Sequence, residues 1–175
     1  VVSRCQRVEM APLPRGQVES ALVGRWGVDP SQARLLAHLS RGCLGWALQA
    51  RADPQVLQHR QQRLERFRQL AKPGYEPRFA FAAELAGQFE QDQEQVTHIL
   101  ELWSLWWRDL LMLKGNCPQG MINMDEVAEL ERSAAPAFSL AQIKGAILDL
   151  QATIQHLRHN ANPRLALEVL MLSLP

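Results

Sequence analysis

The stretch SLAQIKGAILDLQATIQHLRHNANPRLALEVLMLSLP, residues 139–175, decides the fold. Ser139 is a helix-capping residue type, and behind it Leu140, Ile143, Ile147, Leu150, Ile154 and Leu157 recur at steps of three and four. That is a heptad seam, and a seam of this kind needs another helix packed along it. A second helix follows at once. Asn162 can cap it, and Pro163 fits its first turn, where a missing N–H costs little. This closing helix is unusual. Leu165, Ala166, Leu167, Val169, Leu170, Met171, Leu172 and Leu174 surround its axis with few polar interruptions. A surface helix shows one apolar stripe and one polar face. Either the closing helix is the centre of a bundle, or something outside the domain covers its second side.

The chain upstream reads the same way. Residues 92–114 form one long amphipathic helix, with Trp103, Trp106 and Trp107 inside a leucine stripe; at helical spacing these indoles read as core rather than as a stacking platform. GNCPQG ends that helix, and another runs from Asp125 to near Pro136. Residues 78–89 are rich in alanine and phenylalanine. Residues 53–78 carry a helix opened by Pro54 and broken by KPGYEP. Its Arg60, Arg63, Arg66 and Arg68 read as a solvated face interleaved with Gln and Glu. Residues 15–26 give a first helix. VDPSQARLLAHLSRG gives a second, with Asp29 as cap, Pro30 in the first turn and Gly42 as stop. A short third starts near Leu44 and ends about Ala52. Strand signals are almost confined to VVSRCQRVEM at the start. The fold class expected is therefore all-α: a small three-helix unit followed by a longer-helixed bundle.

Composition narrows the function. The 175 residues are 47% hydrophobic and 21% charged, with a net charge of +1, so no global basic field points to nucleic acid. Lys72, Lys114 and Lys144 are the only lysines; the other cations are arginines, which suit bidentate pairing at interfaces. Cys5, Cys43 and Cys117 have neither metal nor redox spacing, and read as reduced thiols of a cytoplasmic protein. No stretch reads as a membrane span or a signal peptide. The start without methionine points to a piece of a longer protein. No nucleophile elbow, His-Glu zinc pair or glycine-rich nucleotide loop is present, and the candidate carboxylates Glu84, Glu101, Asp109, Asp125 and Glu129 lack a Glu-x-x-His pattern. No metal site and no reaction centre of the chain's own is expected.

Four patches carry a resemblance: VVSRCQRV at the start, LSRGCLGWAL at 39–48, WWRDLLMLKG…INMDE at 106–126, and NANPRLALEVLMLSLP at the end. In that order they resemble the C-terminal part of the delta-prime subunits of the bacterial DNA polymerase III clamp loader, members of the AAA+ proteins. The resemblance implies that residues 1–6 end an absent RecA-like module, that 7–52 form the AAA+ lid, and that 53–175 form the collar. The collar would assemble with delta and gamma/tau subunits into a hetero-pentamer that places a sliding clamp on primed DNA. Arg4 matches the arginine of the family's Ser-Arg-Cys motif. By that likeness it acts in trans as a catalytic finger on a neighbour's ATP, and this chain holds no cofactor itself. Where active subunits carry an arginine three residues after the lid glycine, Gly42 is followed by Cys43, Leu44 and Gly45. That departure fits a subunit that does not hydrolyse ATP. The resemblance also suggests an interface at Leu165, Leu167, Leu170, Met171 and Leu174. The alternatives are a gamma/tau-like ATPase and a helical adaptor outside replication; direct DNA contact through Arg60, Arg63 and Arg66 is the weakest reading.

Overall fold

The structure, a computed structural model, describes residues 11–70 and 74–175. The expected first strand and Arg4 lie outside the described residues. Within them the chain is all-α and has no strand. It divides into two units, one running to Val56 and the other beginning at Leu57.

The first unit holds α1 (Arg15–Trp26), α2 (Pro30–Leu39) and α3 (Leu44–Ala52). Local chemistry places each end. Gly27, at φ +62°, closes α1 in the left-handed conformation that glycine adopts without a Cβ clash. Asp29 caps α2 by accepting from Ser31 N at 2.9 Å and Gln32 N at 3.3 Å. These contacts, led by the Ser31 hydroxyl, hold its carboxyl below the usual carboxylate range. Val18, Leu22, Leu36 and Ala47 lose all contact with solvent in the core of the unit.

The second unit starts in α4 (Pro54–Leu70) and continues through α5 (Tyr75–Gln91) and α6 (Gln93–Lys114). The break expected through KPGYEP is shorter than the sequence suggests. Tyr75, Glu76 and Pro77 form the first turn of α5, where proline's missing N–H has no intrahelical partner to lose. After a loop, a short 3₁₀ turn (Met124–Glu126) leads into α7 (Val127–Glu129), a π turn (Leu130–Ala134) and α8 (Ala135–Ala137). Lys114 donates to Ala135 O at 2.7 Å and to Phe138 O, capping that run. Then come α9 (Leu140–Arg158) and α10 (Pro163–Ser173). Ser139 and Gln142 make a reciprocal capping box on α9: Ser139 N donates to Gln142 Oε1 at 2.9 Å, and Gln142 N to Ser139 Oγ at 3.3 Å. Asn162 Oδ1 caps α10 by accepting from Leu165 N at 3.1 Å.

The heptad seam finds its partners inside the unit, because α9 packs on α6 and on α10. Ile143, Leu150, Ile154 and Leu157 are buried there, whereas Leu140 at the start of the seam stays exposed. Trp103, Trp106 and Trp107 are core residues, as their spacing implies. Trp103 stacks on Phe67 with centroids 4.7 Å apart, and Trp107 meets Phe138 edge-on at 4.9 Å.

Candidate functional site

Helix α10 lies against α5 and α9. Leu167, Leu170, Met171 and Leu174 point into the domain and are buried. Its outer side carries Leu165 at 61% exposure, Val169 at 55% and Leu172 at 53%. This corrects the interface set read from the sequence. Of Leu165, Leu167, Leu170, Met171 and Leu174, only Leu165 is exposed. The other four fill the domain's own core, since at 100° per residue they share the face opposite Leu165, Val169 and Leu172. The uncovered side of the helix is carried by Leu165, Val169 and Leu172. Helix α9 also exposes Leu148. A groove of about 380 Å³ runs between the two helices, with Ala152, His156, Leu165 and Val169 among its walls.

Arg78 fixes the end of α10 that presents this face. Its guanidinium donates to the carbonyls of Met171, Leu174 and Pro175 at 3.1, 2.7 and 3.2 Å, and to Leu70 O at the end of α4 at 2.8 Å. Two helix C-termini thus share one cation. The arrangement satisfies carbonyls that have no helical donor and suits the negative end of each macrodipole. Nothing in the spacing of PGYEPRF marks Arg78 for this duty, because its partners on α10 and beyond it, Met171, Leu174 and Pro175, lie more than ninety residues on.

A second polar assembly ties the loop after α6 to the bundle. Asp109 is fully buried on α6. Its carboxylate accepts from Ile122 N at 3.0 Å, Asn123 N at 2.6 Å, Asn123 Nδ2 at 2.7 Å and Arg108 Nη1 at 3.3 Å. Asn123 Oδ1 in turn accepts from Arg60 Nη2 at 2.5 Å, and Arg60 pairs with Asp125. Arg68 pairs with buried Glu126, which also accepts from Gln61 Nε2 at 3.0 Å. The arginine run on α4 is therefore not simply a solvated face. Arg60 is buried with two partners, Arg68 clamps the loop, and Arg66 makes a paired contact with Glu84 at 2.9 and 2.5 Å. Arg60 and Arg68 commit their guanidiniums to carboxylates of the loop, whereas Arg66 and Glu84 pair at the surface with both side chains about half exposed. Within WWRDLLMLKG…INMDE, the Asp109–Asn123 lock explains why the two halves belong together.

The candidate carboxylates have structural partners. Glu84 meets Arg66, Glu101 meets Arg158, Asp109 holds the loop and Asp125 meets Arg60. Among the described residues no cluster of His, Cys, Asp and Glu could hold a metal ion. No described helix is long and apolar enough to cross a membrane.

Residues 54–175 match the family model described as DNA polymerase III, delta subunit, C terminal. No curated protein and no solved structure matches the chain.

Proposed function

Because the chain belongs to the family of C-terminal domains of DNA polymerase III delta subunits, a clamp-loader family, we propose that it is the non-hydrolysing assembly component of that loader, of the delta-prime kind. The observation that carries the reading is the match across the entire second unit, which is a closed helical bundle with one apolar face left over. On this reading the bundle is the collar, and α1–α3 are the AAA+ lid. Leu165, Val169, Leu172 and Leu148 meet a helix of an adjacent collar in the ring. The partners are delta and gamma/tau subunits in a hetero-pentamer, which together place a sliding clamp on primed DNA in the cytoplasm. Gly45, standing where the resemblance places a phosphate-contacting arginine, supports delta-prime over a gamma/tau-like ATPase. Arg4 would then serve a neighbour's ATP by offsetting charge on the transferred phosphoryl group, an effect worth about 10³–10⁵ in rate in well-studied arginine fingers.

Full burial of a leucine or valine is worth about 1.5–3 kcal/mol, and each of the three α10 side chains has roughly half of that left to gain, so covering them supplies about 3 kcal/mol. That is roughly a hundredfold in Kd. The test is the full-length protein carrying Leu165→Asp and Val169→Asp, mixed with delta and gamma/tau. Loss of the complex with unchanged helicity is expected. Assembly at wild-type affinity would remove the interface. A parent protein that hydrolyses ATP alone would favour the gamma/tau-like reading. Arg4→Ala should leave assembly intact and lower the DNA-stimulated ATPase of the complex; unchanged hydrolysis would remove the finger.

A further inference from the structure

The segment leading into α1 touches its own unit at a second point. Leu13 N donates to Gly42 O at 3.0 Å, in the turn between α2 and α3. Gly42 is buried and adopts φ +86°, following Arg41 at +52°. A Cβ at position 42 would stand 2.4 Å from Leu13 O, 2.8 Å from Leu13 N and 2.8 Å from Pro12 Cβ. Two of these neighbours are backbone and the third belongs to a proline ring, so none can swing aside. Gly42 is thus required twice, for a left-handed backbone and for close approach. Gly27 is the natural contrast: it also has positive φ, +62°, but a Cβ there would meet nothing within 4 Å. Pro12 and Pro14 flank Leu13 with φ held near one value, so the segment has little freedom to lose on docking.

We propose that Gly42 is the socket of a latch that fastens the Pro12–Pro14 segment onto the α2–α3 turn, making the entering chain and the three-helix unit one rigid body. A displacement of whatever precedes Pro12 is then passed to the helices instead of being absorbed at the junction. Nothing in this depends on which clamp-loader component the chain is or on the role of Arg4.

The experiment compares the intact protein with Gly42→Ala and Gly27→Ala by ¹⁵N relaxation and amide exchange. In the wild type the Leu13 amide has an order parameter near about 0.85, the value of rigid backbone. In Gly42→Ala it falls below about 0.6, the flexible range, and Leu13 exchanges roughly tenfold faster while Leu22 and Leu36 keep their protection. Gly27→Ala bears a similar φ strain without the contact, and leaves Leu13 as it was. The latch is overturned if Leu13 is already flexible in the wild type, if Gly42→Ala leaves it rigid, or if both variants loosen it alike. Should Gly42→Ala not fold, the wild-type order parameter decides by itself.

Discussion

Asp109→Ala should be among the costliest small truncations in the second unit. The carboxylate is fully buried and answers three donors of the loop: Ile122 N, Asn123 N and Asn123 Nδ2. Removing it leaves all three without an acceptor. A buried donor left unmatched costs about 1–3 kcal/mol. Asn123 is 1% exposed, so its two donors count fully, while half-buried Ile122 counts at the low end. The sum is about 3–7 kcal/mol, and water entering the vacated space brings the expected loss to about 4 kcal/mol. For a domain of this size that corresponds to a fall in Tm of roughly 12–20 °C. Asp109→Asn keeps the shape but turns an NH₂ toward N–H groups, and should lose about 2–3 kcal/mol. The assay is urea unfolding followed by near-UV circular dichroism, which reports the buried Trp103, Trp106 and Trp107. Because Arg60 also binds Asn123, Asp109→Ala and Arg60→Ala should be non-additive by roughly 0.5–3 kcal/mol. Both Asp109 variants lying within about 1 kcal/mol of the wild type would refute the claim that this loop is held by buried charge.

Other perturbations probe separate parts of the structure. Arg78→Met should cost about 2–3 kcal/mol and speed amide exchange in the last turn of α10, with Arg78→Lys recovering less than half, because an ammonium cannot fork between two helix ends. Equal stability of Arg78→Met and the wild type would mean that water serves those carbonyls equally well. The Arg66 hydrogen bonds depress the Glu84 carboxyl below its ordinary value of 4.5. The pair's contribution is therefore fully present above that value and is lost as pH falls through the depressed pKa. Both side chains are about half exposed, so solvent screening limits the effect to about 0.5–1 kcal/mol. Glu84→Gln should be less stable than the wild type by that amount at pH 7 and equal to it at pH 2; a gap that persists at pH 2 would point to packing rather than charge. Leu172→Ala should leave stability within about 0.5 kcal/mol, because its side chain is half in water, whereas Leu167→Ala should cost about 2–5 kcal/mol by opening a cavity in the core.

The sequence by itself determined the helices and where most of them begin and end. Asp29, Ser139 and Asn162 cap the helices they were expected to cap, because capping is a contact between a side chain and amides two or three residues away. It also placed the tryptophans in the core, since a 3.6-residue period is written locally. Tertiary structure alone decided which side of α10 stays uncovered. The apolar residues encircle that helix, so its own sequence cannot say which of them α5 and α9 claim; that follows from how the bundle closes. It decided equally that Arg60 and Arg68 are internal clamps, that Asp109 holds Asn123, and that Arg78 collects carbonyls from the ends of both α4 and α10. A charge reads as solvated until a partner far along the chain is brought against it, and only the folded backbone brings one.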